Sequence, residues 1–361
     1  MRLPKPNKII AEKYVVGLSQ FKNKRVKIKL SANESALGPS PKAVKEYLRL
    51  SKNFKRYPDS EGKNLRKALA KKFKLDPNRI ILGSGSDQIL ELICKAFLKK
   101  GDEVVVPKYS FLIYRLYSQI NGAKILYSKE KNLKVSVDDI LKKVTKKTKI
   151  VFLANPNNPT STYIDKKKLV FLRNKLRSNI LLVVDDAYFE YVKQKNYFSG
   201  LQLFSNFKNV IITRTFSKIY GLAGLRVGWG YGSKEIINSL NQFKPPFNIN
   251  SPALSAAEAA IKDNAWLNKE IKHVKKWNDK FYKEFKKLNI ETNKSFTNFL
   301  LINFNKIKKD SSRIFKLLAG AGILVRKMDN YGIKNSLRVT IGKNDENKKL
   351  ILKLKKAINV Q

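Results

Sequence analysis

The middle of the chain alternates short, wholly apolar runs with amphipathic stretches, and few architectures accommodate that pattern. Ile80 to Leu82, Glu103 to Val106, Lys124 to Tyr127, Ile150 to Ala154, Leu181 to Asp185, Val210 to Arg214 and Val227 to Gly230 read as strands. Asp87 to Leu98, Phe111 to Asn121 and Lys166 to Lys175 read as helices between them. A strand with one wet face alternates apolar and polar residues. A run such as Ile150-Val151-Phe152-Leu153-Ala154 does not, so it needs cover on both faces. The pattern predicts an α/β fold with a mostly parallel central sheet covered by helices.

After about Ser251 the pattern changes. Long helices are predicted over Pro252 to Lys262 and Ala265 to Lys287. A strand at Phe299–Ile302, a helix at Ser311–Leu318, strands near Ile323–Val325 and Leu337–Ile341, and a closing helix at Lys348–Ile358 follow. This α+β arrangement predicts a second, smaller domain of residues 1–30 and 251–361, against a large domain of residues 31–250. A cleft between two domains is a common ligand site.

Composition removes several kinds of chemistry. Cys94 is the only cysteine, so no intrachain disulfide is possible, and its apolar helical surroundings suit a buried, inert thiol. His273 is the only histidine, and it lies in the basic stretch Lys272-His273-Val274-Lys275-Lys276. A His-rich zinc site is excluded, and no Cys/His metal spacing exists. A Ser-His-Asp or Cys-His hydrolase would have to use that histidine, and no nucleophile-elbow sequence accompanies it. No apolar run approaches the ~18–20 residues that span a bilayer. Met1 to Leu30 carries scattered lysines and no continuous apolar stretch, so a cytoplasmic protein is expected.

The formal net charge is +47, from 75 Lys and Arg against 28 Asp and Glu. Such a balance raises a basic nucleic-acid-binding protein as a rival from another class. Lysines outnumber arginines 61 to 14, and they recur from Lys5 to Lys356 on the polar faces of nearly every amphipathic segment. A surface built for bidentate base or phosphate contacts favours arginine. No basic run is interleaved with aromatics beyond Lys275-Lys276-Trp277.

Chemistry concentrates in four stretches. Thr215-Phe216-Ser217-Lys218-Ile219-Tyr220-Gly221-Leu222-Ala223-Gly224-Leu225-Arg226 follows an apolar strand. It sets a lysine between two hydroxyls, a turn of small residues and an arginine. Hydroxyls and a guanidinium suit a phosphate. An amine beside an anion site suits the aldehyde of pyridoxal phosphate (PLP); a solvated lysine next to a structural turn is the plainer alternative. Asp185 ends a buried strand, with Tyr188 three residues on. A carboxylate at the carboxyl end of a parallel strand faces the usual crevice, where it can hold a pyridinium nitrogen protonated; it could equally cap a helix. Asn155-Pro156-Asn157-Asn158-Pro159-Thr160 offers amides to a phenolic oxygen, or is a plain turn. Gly83-Ser84-Gly85-Ser86-Asp87 joins a strand to a helix whose free amides can hold a phosphate.

In this order and spacing, the stretches resemble the fold-type-I PLP-dependent aminotransferases, and among them the histidinol-phosphate aminotransferases most. The similarity runs from Ser31-Ala32-Asn33-Glu34-Ser35-Ala36-Leu37-Gly38-Pro39, through Arg56-Tyr57-Pro58-Asp59, to Leu337-Arg338-Val339-Thr340-Ile341-Gly342. The resemblance implies that Lys218 bonds the cofactor's aldehyde and that Asp185 pairs with its ring nitrogen. It implies that Tyr188 and Asn158 bond the phenolic oxygen. Ser86, Asp87, Thr215, Ser217 and Arg226 would hold the phosphate. Phe111 would stack on the ring, with Tyr109 two residues away as the alternative. Tyr57 would reach the phosphate of a neighbouring subunit, which implies a homodimer with shared sites. Arg338 would bind the carboxylate of glutamate or 2-oxoglutarate and the phosphate-bearing arm of histidinol phosphate. Arg326, Tyr14 and Asn33 would complete the substrate pocket. Ala36, Ser161 and Asp186 stand where the family usually has Pro, Gly and Glu. The implied activity is a two-step transamination in histidine biosynthesis, with no metal, nucleic acid or membrane. Aromatic amino acids or threonine phosphate are the alternative substrates within the same fold.

Overall fold

The structure is a computed structural model that describes residues 20–21, 24–50, 52 and 55–359. Its centre is a seven-stranded sheet. In sheet order the strands are Ile80–Gly83, Gly228–Tyr231, Val210–Thr215, Leu181–Asp185, Thr148–Ala154, Glu103–Pro107 and Lys124–Ser128. Gly228–Tyr231 runs antiparallel to both neighbours, and every other adjacent pair is parallel.

The wholly apolar strands are explained by where their alternate residues go. Val151 and Leu153 enter one core together with Leu182, Val184, Val210 and Ile212. Ile150 and Phe152 enter the core on the opposite face with Leu181, Val183 and Ile211. Period-two geometry sends neighbours to opposite faces, so a strand covered on both sides must be apolar throughout.

A third core belongs to a smaller, four-stranded sheet. Its strands lie in the order Glu291–Thr292, Phe299–Asn303, Ser336–Thr340 and Arg326–Lys327. The long helix Asn264–Lys287 buries Val274, Trp277, Phe281 and Phe285 there, against Leu300, Ile302, Leu337 and Val339. These four helix positions fall at spacings of three and four, one stripe of an amphipathic helix.

The helix Ser251–Lys262, expected in the smaller domain, packs instead in the large one. Its Ala253, Ala256, Ala257, Ala260 and Ile261 are buried in the core shared with Leu65, Leu69 and Ala43. Those residues lie on the helices Lys63–Phe73 and Pro41–Leu50. Alanines allow close approach of neighbouring helices, and the apolar face finds its cover there. Asp263 follows this helix, and its carboxylate caps the long helix Asn264–Lys287. Residues 30–34 are tied to the smaller sheet: Thr340 donates its amide to the Leu30 carbonyl, and Asn298 Nδ2 donates to the carbonyls of Asn33 and Glu34.

Candidate active site

Asp185, Thr215, Ala154 and Gly83 all sit at the carboxyl ends of strands that run in the same direction in the large sheet. The crevice outside those ends is where ligands of such sheets bind. A cavity of about 250 Å³ opens there, walled on its other side by Asn33, Glu34, Arg326, Tyr331 and Arg338.

At one end of the cavity is an anion cup. The helix Gly85–Phe97 starts with Gly85 at φ +76°, and its first-turn residues Ser86 and Asp87 line the cavity. The first amides of a helix have no partner within it. Thr215 and Ser217 line the opposite wall, the Ser217 amide donating to Thr215 Oγ1 at 3.0 Å. Arg226 closes the cup. Its Nη1 donates to Ser217 Oγ at 3.1 Å, and its Nη2 donates to Asp87 Oδ2 at 3.3 Å. Two glycines make this closure possible. A Cβ on Gly85 would lie 2.3 Å from Arg226 Nη2, and one on Gly228 would lie 2.1 Å from the Ser86 nitrogen.

Lys218 stands beside the cup. Its Nζ is 3.4 Å from the carbonyl oxygen of Ala32 and 5.9 Å from the centre of the Tyr188 ring. Burial, with help from the nearby Arg338 guanidinium, pulls its pKa down to about 8. The segment carrying Ala32 comes this close because Gly221 lacks a side chain: a Cβ there would sit 2.2 Å from the carbonyl carbon of Gly38.

Asp185 lies on the cavity floor. Tyr114 Oη donates to its Oδ2 at 2.6 Å, while its Oδ1 is buried without a partner. Burial raises its pKa to about 6, against the lowering effect of the Tyr114 hydrogen bond. Tyr188 Oη accepts from Asn33 Nδ2 at 3.0 Å. Asn33 holds the left-handed conformation at φ +56°, which asparagine tolerates better than most residues, and its amide donates to Thr340 Oγ1.

Arg338 Nη1 donates to Asn158 Oδ1 at 2.6 Å, which orients the asparagine with Nδ2 as its remaining donor. Arg338 Nη2 donates to the Ser31 carbonyl, and its Nε is buried without a partner. Arg326 and Arg338 are directly opposed across two antiparallel strands, and both are buried, at 8% and 5% exposure. Like charges so placed repel unless an anion lies between them.

Thirteen sequence-derived residues meet in this cavity: Asn33, Ser86, Asp87, Phe111, Asn158, Asp185, Tyr188, Thr215, Ser217, Lys218, Arg226, Arg326 and Arg338. Phe111 lines it and Tyr109 does not; Tyr109 is held by Glu130 and Asn157 instead. Tyr57 lies outside this chain's cavity, 82% exposed and stacked on Phe247. Tyr14 lies outside the described residues. Tyr114, Tyr331 and Glu34 also line the cavity and were not singled out from sequence. Tyr114 had no clear signal, since a tyrosine on the apolar helix Leu112–Ile120 reads as core and Phe111 before it is the extended cap residue. Tyr331 had none, because the turn that carries it is placed by the smaller sheet.

The class I and II aminotransferase family model matches residues 25–354. A histidinol-phosphate aminotransferase of Pelagibacter ubique is 52% identical over 360 residues, spanning 99% of this chain and 100% of that one. One from Rhodopseudomonas palustris is 41% identical over 355 residues, 98% of this chain and 97% of its own. The crystal structure of the histidinol-phosphate aminotransferase of Sinorhizobium meliloti, in complex with pyridoxal-5'-phosphate, superposes with a TM-score of 0.87 at 24% identity, over 93% of this chain and 91% of that one. That likeness shows the fold. The length and identity of the first two matches settle the family: this chain belongs to the class I and II aminotransferases, among the histidinol-phosphate aminotransferases.

Proposed function

We propose that the chain moves the amino group of L-histidinol phosphate to 2-oxoglutarate, giving imidazole acetol phosphate and glutamate, with PLP as cofactor in histidine biosynthesis. The observation that carries this reading is one cavity holding Lys218, Asp185 and the opposed pair Arg326 and Arg338. A dianion between the two arginines relieves their repulsion, and both the phosphate ester and the dicarboxylate are dianions.

The residues fit PLP at three points. The cup of Ser86, Asp87, Thr215, Ser217 and Arg226 suits its phosphate. The unpartnered Oδ1 of Asp185 suits its ring N–H. Lys218 lies between them, within reach of an aldehyde. Bound PLP supplies the aldehyde that takes up the substrate amine and a ring that draws electrons from the adjacent carbon. The chain does the rest. Lys218 Nζ, with its pKa near 8, is partly neutral at neutral pH and carries the proton away from the substrate carbon. Asp185 keeps the ring nitrogen protonated. Tyr188 Oη and Asn158 Nδ2 hold the phenolic oxygen, and Phe111 covers the ring. Arg326 and Arg338 orient the far end of the substrate, with Asn33 lining the same pocket.

A homodimer goes with this reading. Tyr57 stands clear of its own chain's cavity and would reach the phosphate bound in a second copy. A cytoplasmic setting goes with it too; among the described residues no helix is long and apolar enough to cross a membrane. The substrate is tested by steady-state rates with histidinol phosphate, phenylalanine and threonine phosphate as amino donors. The largest kcat/KM is expected for histidinol phosphate. A larger value for phenylalanine, or loss of carbon dioxide from threonine phosphate, would replace this reading with one of the related activities.

A further inference from the structure

Asp185 has two oxygens, and only one can meet a ring nitrogen. The hydroxyl of Tyr114 engages Oδ2. Tyr114 is fully buried, and its ring lies parallel to that of Phe152 (interplanar angle 3°) with centroids 5.0 Å apart. Phe152 belongs to the strand next to that of Asp185, so the sheet fixes both ends of the contact. From this position Tyr114 Oη donates to Oδ2 at 2.6 Å, while Oδ1 is buried and takes no part in that bond. A short hydrogen bond from a neutral donor to a carboxylate favours the ionised form. An ionised Asp185 with one oxygen already engaged is what a protonated ring nitrogen needs.

We propose that Tyr114 is a positioning residue for the cofactor, orienting Asp185 and keeping it ionised. This rests on the PLP reading above. The other ionisable groups around Asp185 include Asp87 at the start of helix Gly85–Phe97, Asp186 next along its own chain, Tyr188 beyond it, and Lys218, Arg226, Arg326 and Arg338 across the same cavity. The Thr213 side chain and the Ala187 amide support the carboxylate beside the Tyr114 hydroxyl, whose bond is the 2.6 Å one.

The test is PLP titration of the apoprotein between pH 5 and 8, for wild type, Tyr114→Phe and Phe152→Leu. Tyr114→Phe keeps the ring stack and removes the hydroxyl. It is expected to weaken PLP binding at least about tenfold and to move the acidic fall in affinity to higher pH. Phe152→Leu keeps the hydroxyl and is expected to lower the melting temperature while the acidic fall stays at the wild-type pH. Tyr114→Phe with wild-type affinity and pH dependence would overturn the proposal. So would Phe152→Leu moving the acidic fall as far as Tyr114→Phe, because packing would then be the agent. A wild-type chain that binds no PLP would overturn the cofactor reading itself, and this proposal with it.

Discussion

Gly228→Ala puts the anion cup under a defined load. A Cβ at this position would lie 2.1 Å from the Ser86 nitrogen and 2.4 Å from the Gly85 carbonyl carbon. Both are backbone atoms, so no side chain can swing away. Ordinary Cβ contacts begin near 3.4 Å, and the strand or the helix start must therefore yield by more than about 1 Å. Overpacking of this kind costs ~1–3 kcal/mol. The displaced element is the first turn of helix Gly85–Phe97, whose amides face the cup. Losing one hydrogen bond to a charged phosphate oxygen costs ~1.5–3 kcal/mol, about a 10- to 150-fold rise in the PLP dissociation constant. Gly224→Ala is the control, because nothing lies within 4 Å of its Cβ position. PLP titration of the two apoproteins, followed by thermal melts, should show both losses for Gly228→Ala and neither for Gly224→Ala. A Gly228→Ala chain that melts at the wild-type temperature and binds PLP within twofold of wild type would refute the close approach on which the cup is built.

Three further outcomes are expected. Ser161, standing where the family usually has Gly, holds φ +56°; Ser161→Gly should relieve that strain and stabilise the chain by about 0.5–1 kcal/mol in a denaturant melt. Asp185 has its pKa raised to about 6 by burial, so the folded apoprotein keeps this proton when the unfolded chain has lost it, and the group's effect on stability turns unfavourable as pH rises from about 4 to about 6. Binding PLP needs the carboxylate, so affinity should rise with pH through about 6 more steeply in wild type than in Asp185→Asn. Arg326→Gln should cut kcat/KM for histidinol phosphate about 10- to 100-fold, because it removes an anion ligand from the cavity wall.

Local sequence carried most of the fold. The apolar strands announced their own burial, and the helices between them followed from spacing. What local sequence lacks is partner choice. The alanine face of Ser251–Lys262 says that the helix packs closely, not that its neighbours are the helices Pro41–Leu50 and Lys63–Phe73. The order of strands is likewise non-local: nothing in Gly228-Trp229-Gly230-Tyr231 shows that it runs antiparallel between the strands Ile80–Gly83 and Val210–Thr215. Helices Pro41–Leu50 and Lys63–Phe73 were not predicted, although Ala43 and Tyr47 in the first and Leu65 and Leu69 in the second fall four residues apart. The site was legible where chemistry sits in short motifs, as around Lys218 and Asp185. Tyr114 was not, because a buried tyrosine on an apolar helix face looks like core until the carboxylate beside it is seen.

The account turns on one amine. With wild-type chain loaded with PLP and given histidinol phosphate but no 2-oxoglutarate, one imidazole acetol phosphate should form per site and no more. Lys218→Ala in the same single-turnover measurement should still hold PLP in the cup and form essentially none. If Lys218→Ala makes one keto product per site at the wild-type rate, Lys218 does not carry the transfer, and the central claim falls.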